Sequence, residues 1–214
     1  MLDAIILPRH QEQTGNKGSC FATMRALPRL LRISPALRLA SATGMLYFSA
    51  FSLVWVGLSI ALSKPPYSLN PTQIGLYSLA GVLGLFVTRW AGSLTDRHGP
   101  HVVVIGCLIS AAILLIDIGN SVLCVTGLAD FDAGCFSAQT ANQVAVVSID
   151  PPQSGNYSSV YLSLYYTAGA IGSSLVTPIL TIWGWARVAL VETVLPAADT
   201  LIQLLSHRSR SLSR

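Results

Sequence analysis

From Leu39 to Leu62 the chain runs 24 residues without one charged side chain. A helix needs ~20 apolar residues, at 1.5 Å rise each, to cross a bilayer core of roughly 30 Å. This stretch exceeds that length, so it either crosses a membrane or is enclosed on every side. The rest of the sequence favours the membrane. Only 10% of the 214 residues are charged, against roughly 25% in a soluble globular domain. Mean hydropathy is +0.59. Between a basic segment, 1–38, and a polar tail, 207–214, lie 168 residues at 39–206. That length accommodates about six spans with short loops.

Breaks in the hydropathy mark the spans. Lys64-Pro65-Pro66-Tyr67 ends the first, because proline cannot continue the hydrogen-bond ladder. Asn70-Pro71-Thr72 is a start signal for a second span to about Leu94. A polar turn, Thr95 to Pro100, leads to a third span from His101 to about Gly119. Asn120-Ser121 is a short reversal before a fourth, about Val122 to Val147. Asp150 to Gly155, with two prolines and a glycine, is the clearest loop. The fifth span covers about Tyr157 to Ile182, and Trp183-Gly184-Trp185 forms a turn with aromatics at interface depth. The sixth, about Ala186 to Leu205, carries Glu192, Pro196 and Asp199 and has the weakest pattern. The expectation is an all-α membrane protein: a basic N-terminal segment at 1–38, partly disordered, a six-helix transmembrane domain at 39–206 and a short tail at 207–214. Within the first segment, residues 24–38 suit a surface helix with Leu27, Leu30 and Leu31 on one side, its length limited by Pro28 and Pro35.

The 13 Lys and Arg residues are unevenly placed. With the N-terminus inside, only Lys64 and Arg187 fall on outside faces. The positive-inside rule then places both termini in the cytoplasm, which an even number of spans requires. The same distribution argues against nucleic acid as a partner, despite the net charge of +4, since the basic residues sit at the ends of apolar stretches rather than in a patch. Cys20, Cys107, Cys124 and Cys135 have no metal-ligand spacing, and three of them lie in apolar runs. No metal, cofactor or disulfide framework is expected. Met1 to Leu7 contains Asp3 and has no basic flank, unlike a cleaved signal, so the first span is expected to act as its own insertion signal. His10, His98, His101 and His207 stand at the termini, in the polar turn or at the very start of a span, and no nucleophile elbow or phosphate loop occurs, so the chain does not read as an enzyme.

One local pattern stands out, Gly92-Ser93-Leu94-Thr95-Asp96-Arg97-His98-Gly99. Gly92 lets a neighbouring helix approach closely. Asp96 is placed to accept from a helix N-terminus, whose dipole favours a carboxylate. Arg97 anchors the turn on the cytoplasmic side, and Gly99 permits positive φ. Its bland reading is an ordinary charged turn between spans. The pattern resembles the loop signature of the major facilitator superfamily through Gly92, Leu94, Asp96, Arg97 and Gly99. It departs where Pro100 and His101 replace the usual basic residues.

More of the chain fits the YnfM-type predicted efflux permeases of that superfamily. The matching segments include Phe48 to Phe51, Pro65-Pro66-Tyr67, Ile74 to Tyr77 with Gly81 and Gly84, Asp117 to Gly119 and Ala141-Asn142-Gln143. Tyr157 to Tyr161, Tyr165-Tyr166, Gly169 to Ser173 and Gly184-Trp185 continue the likeness. It covers about residues 25–187 and corresponds to helices 7–12 of a twelve-helix transporter. It implies two inverted three-helix repeats, a bacterial inner-membrane location, the loop signature as a latch, and proton-coupled efflux of an unknown small molecule by alternating access. Half a transporter then needs a second copy or a complementary half. A truncated, inactive product and a non-transporting scaffold or regulatory subunit remain open readings.

The candidate transport residues are Asp117, Asp130, Asn142, Gln143, Tyr161, Tyr165 and Tyr166; Gly81, Gly84, Gly169 and Gly172 are candidates for close helix packing. Tyr157, Tyr161 and Tyr165 are spaced i, i+4, i+8 and share a helix face. They suit a cavity wall or an interfacial belt, and Tyr157, at the membrane edge, suits the belt. Asp130 and Asp132 fall near the middle of the fourth span, where charge is costly; a proton-coupling carboxylate, a protonated or cavity-facing acid without a role, and sequence decay are the open readings. Two residues apart, they point to nearly opposite faces and form no dyad. Arg89 reads as snorkelling to the headgroups or as a partner of Asp96.

Overall fold

The computed structural model describes residues 28–79, 81–82, 100–115, 117–191 and positions 194, 196 and 199. The latch pattern Gly92, Leu94, Asp96, Arg97 and Gly99, together with Gly84 and Arg89, lies outside the described residues. All regular structure among the described residues is helical. The main elements are α1 (Pro35–Ser63), α2 (Pro71–Tyr77), α3 (Pro100–Leu114), α4 (Ser121–Val147) and α5 (Ser154–Trp183). Shorter helical runs cover 28–33 and 185–191. By length and composition, α1 and α4 are able to cross a membrane. The six-span count expected above is not reached among the described helices.

Three of the helix starts have a side-chain cap. Ser34 caps α1, its hydroxyl accepting from the Leu37 amide at 3.2 Å, and Pro35 occupies the first turn, where a missing N–H costs nothing. α1 therefore starts four residues before the expected Leu39. The cap separates it from the run 28–33, and the Arg38 guanidinium donates to the carbonyls of Leu31 and Arg32 at 2.9 and 3.0 Å. Asn70 and Gln73 form a reciprocal capping box at 2.9 Å in both directions and open α2. Asn120 Oδ1 accepts from the amides of Val122 and Leu123 and opens α4.

Three further boundaries differ from expectation. Pro100, read as part of a turn, begins α3, which suits a proline that needs no amide partner. α3 stops at Leu114, short of the expected Gly119. The proline-rich loop at 150–155 is one 3-10 turn, Pro151–Gln153, so α5 begins at Ser154 rather than Tyr157. α5 continues through Pro178 to Trp183, and Gly184 ends it at φ 71°, a conformation that favours glycine.

The core follows from stripes at helical spacing. Val54, Leu58 and Leu62 of α1 meet Val104, Leu108, Ala111 and Leu115 on or just beyond α3, and Cys124, Leu128, Phe131 and Cys135 of α4. Leu37 and Ala40 of α1 join Val146 of α4 and Tyr157, Val160 and Tyr161 of α5 in a second cluster. α1 packs most extensively on α5, and α3 on α4. Small residues permit the first contact. A Cβ at Gly172 would stand 2.8 Å from the Ser49 carbonyl oxygen, and one at Gly169 would strike the Phe48 ring. Gly44 on α1 receives the Tyr161 ring in the same way.

Candidate functional site

Polar groups in an apolar bundle need partners, so the hydrogen bonds between helices show where chemistry is concentrated. Asp132 on α4 is 1% exposed. Its Oδ1 accepts from the Trp55 indole N–H of α1 at 3.0 Å. Its Oδ2 faces Gly81, where a Cβ would come within 3.3 Å. Asp130, two positions earlier, turns toward α3 and accepts from the Ser110 hydroxyl. The two carboxylates thus address different helices, as helical geometry demands.

A second polar centre joins α4 and α5. The fully buried Tyr161 hydroxyl donates to Gln139 Oε1 at 2.5 Å. Asn142, one turn beyond Gln139, has its amide nitrogen buried with no hydrogen-bond partner among the described residues. Gln143 is exposed. Tyr161→Phe keeps the ring against Gly44 but removes the bond to Gln139. The expected loss is about 1 kcal/mol, or roughly 2–4 °C in a thermal melt of the detergent-solubilised protein. An unchanged melting temperature would show the bond to be energetically idle.

Aromatic rings line the seam between α1 and α5. Phe48 stacks on Tyr165 with centroids 4.1 Å apart and meets Tyr166 edge-on at 5.6 Å. Phe51 stacks on Phe131 and lies 5.8 Å from Phe136. Tyr166 is 60% exposed, whereas Tyr165 is half-buried. The void edged by Phe48, Phe51, Phe136 and Tyr165 is only about 20 Å³, room for little more than one water. This void, bounded by described residues, is too small for a small-molecule cargo.

The structure therefore brings Tyr161, Tyr165 and Tyr166 together with Phe48, and Asn142 close to Gln139. It leaves Asp130 apart on the α3 side. Asp117 lies three positions beyond the end of α3, exposed, its Oδ1 accepting from the Gly119 amide at 3.1 Å. Sequence reading did not select Trp55, Ser110 or Gln139. Only Gln139 left a signal, its i, i+3 spacing from Asn142. No cluster of three or more His, Cys, Asp or Glu side chains able to hold a metal occurs among the described residues.

No family model matches the chain, and no solved structure matches it. Curated relatives do. A probable transporter of Streptomyces coelicolor is 31% identical over 195 residues, covering 88% of this chain and 44% of the relative. The uncharacterized transporter YgaY of Escherichia coli O157:H7 is 29% identical over 170 residues, 78% of this chain and 43% of the relative. The uncharacterized MFS-type transporter YybF of Bacillus subtilis is 29% identical over 112 residues, 51% of this chain and 28% of the relative. The chain thus spans less than half the length of each of these relatives. Transporter names and bilayer-length apolar helices together support a membrane protein.

Proposed function

We propose that the chain is one six-helix half of a secondary transporter of the major facilitator superfamily, of the YnfM-like subgroup, in the bacterial inner membrane with both termini cytoplasmic. The observation that carries this reading is the match along 88% of the chain to less than half of a transporter. Alternating access needs two such halves rocking about a midplane site. The cargo is a small molecule, and the coupling ion is the proton, with efflux as the direction.

The arrangement of polar groups supports a moving half rather than an inert bundle. Asp132–Trp55 ties α1 to α4, Asp130–Ser110 ties α4 to α3, and Tyr161–Gln139 ties α5 to α4. Carboxylates at membrane depth are costly and mark ion pathways by default. The Tyr165–Tyr166 face, with Tyr166 open, is then the surface that meets the second half across the cargo site.

A second reading has its own support. The same half-length coverage fits a fragment that does not transport by itself. Native mass measurement of the protein released from mild detergent separates the two. A species of twice the chain's 22.7 kDa, or a complex with a second half, is expected. A strict monomer at all detergent concentrations would overturn transport by this chain.

A further inference from the structure

At the end of the bundle where α1 begins, the chain turns a corner. The helical run 28–33 stops, Ser34 takes an extended conformation at φ −106° and ψ 104°, and α1 starts at Pro35. Leu30 and Leu31 pack on the cluster that holds Leu37, Val146 and Tyr157, so the run lies against the bundle by one face. Its other face carries Arg29, Arg32 and Ile33, spaced i, i+3, i+4 and all exposed. Arg38, in the first turn of α1, reaches back to the carbonyls of Leu31 and Arg32. Those bonds hold its guanidinium at the end of the run that carries Arg32. Both use Nη1, which leaves the rest of the guanidinium edge open. Three cations therefore gather on the outside of one corner.

Nothing described at this corner neutralises them. The guanidiniums of Arg29 and Arg32 have no hydrogen-bond or ion-pair partner among the described residues. α1 has no acidic residue in its first turn. Asp150, next to Ile149 at the same end, accepts from the Gln153 side chain at 2.8 Å. Helix ends do not decide the sign. Here α1 and α5 start while α4 and the run 28–33 stop, so positive and negative ends offset. The arginines decide it, and they favour an anion. Their neighbours select its kind. Ile33 is 63% exposed and Leu39 41%, each next to an arginine in the chain. A soluble anion would satisfy the guanidiniums and leave both apolar side chains in water. A molecule with an anionic head and a hydrocarbon tail covers both.

We propose that this corner docks anionic phospholipid of the leaflet at the basic termini, its phosphate on Arg29, Arg32 and Arg38 and its acyl chain against Ile33 and Leu39. The assignment rests on the membrane reading above. α1 has bilayer length and begins at the corner, which puts the arginines at headgroup depth. The positive-inside count only orients the chain, whereas the corner adds a lipid preference carried by three particular side chains. Each cation near such a surface is worth roughly fivefold in affinity for anionic lipid.

The test is native mass spectrometry of the purified full chain equilibrated with equal mole fractions of phosphatidylglycerol and phosphatidylcholine bearing the same acyl chains. Retention of the glycerol lipid several-fold above the choline lipid is expected. The ratio should fall toward one in the double variant Arg29→Gln with Arg32→Gln, while Arg29→Lys with Arg32→Lys keeps most of it. Both side chains are exposed and unbonded, so the glutamine variant should hold the wild-type thermal midpoint, and its lost preference is then no loss of fold. Equal retention in the wild type, the result for a corner built to meet an acidic protein segment, would overturn the site. So would an unchanged ratio in the glutamine variant. A second arm adds water-soluble glycerol 3-phosphate to the delipidated chain, and no binding is expected at concentrations that saturate the lipid. Binding as tight as the lipid's would mark a soluble anion and overturn the lipid. The same spectra give the mass of the protein complex, so failure of the lipid site and failure of the half-transporter reading are separate results.

Discussion

Gly172→Leu is expected to lower the thermal midpoint of the detergent-solubilised protein by at least roughly 6–12 °C, corresponding to about 3 kcal/mol. The cause is backbone against backbone. A Cβ at this position would stand 2.8 Å from the Ser49 carbonyl oxygen and 3.1 Å from its Cα. Neither atom is able to rotate away, so α1 and α5 must separate along the most extensive contact in the bundle. Leucine adds three carbons beyond that Cβ, which places the cost at the upper end of the overpacking range. Gly106 provides the control. Nothing lies within 4 Å of a Cβ there, so Gly106→Ala is expected to be neutral or slightly stabilising. A leucine at 172 that left the midpoint unchanged would mean that α1 and α5 do not pack as described.

The second large effect belongs to the Trp55–Asp132 pair. Asp132→Ala removes a 1% exposed acceptor and leaves the indole N–H facing an apolar core, a loss of about 1–3 kcal/mol before any cavity is counted. Asp132→Asn keeps an acceptor oxygen and is expected to cost less. Trp55→Phe removes the donor and strands the carboxylate. Once one partner is gone, removing the other costs much less, so Asp132→Ala with Trp55→Phe should be less damaging than the sum of the two single changes. A coupling of about 1–3 kcal/mol in a double-mutant cycle of unfolding is the expected result. Strict additivity would show that the two side chains do not share a bond.

The helices were legible because their causes are local. Ser34-Pro35, Asn70-Pro71 with Gln73, and Asn120 each carry their cap within three residues. The ends of the spans were harder to read, since the loss of charge at Leu39 marks where the membrane is expected to begin, not where the helix does. α1 includes Arg38 because its cap lies at Ser34. The proline-rich stretch at 150–155 misled in a similar way. Proline is excluded from helix interiors but suits first turns, so the stretch became a 3-10 turn running straight into α5.

The candidate site was legible only in part, for a different reason. Tyr161, Tyr165 and Tyr166 lie on one helix, and their spacing exposed them. Trp55 and Asp132 are 77 positions apart, and no periodicity in one helix reports the rotation of another. Asp130 and Asp132 looked alike in sequence, but the structure separates them by what each meets, a serine hydroxyl on α3 and an indole on α1. The latch pattern around Asp96 lies outside the described residues, so its role stays a proposal of the resemblance.

Pro178 has no N–H to give to the carbonyl of Ser174, so the backbone ladder of α5 lacks a rung there. Below that point α5 is pinned to α1 through Gly169 and Gly172. Beyond it come Leu180 and Thr181, which with Ile60, Ala61 and Trp185 wall a cavity of about 390 Å³ between the tips of α1 and α5. The helix is therefore a rod with a soft joint near its tip. Past the joint, Leu180 and the Trp185 ring still rest against Gly57 of α1, so side chains hold the tip of α5 where its own ladder is interrupted.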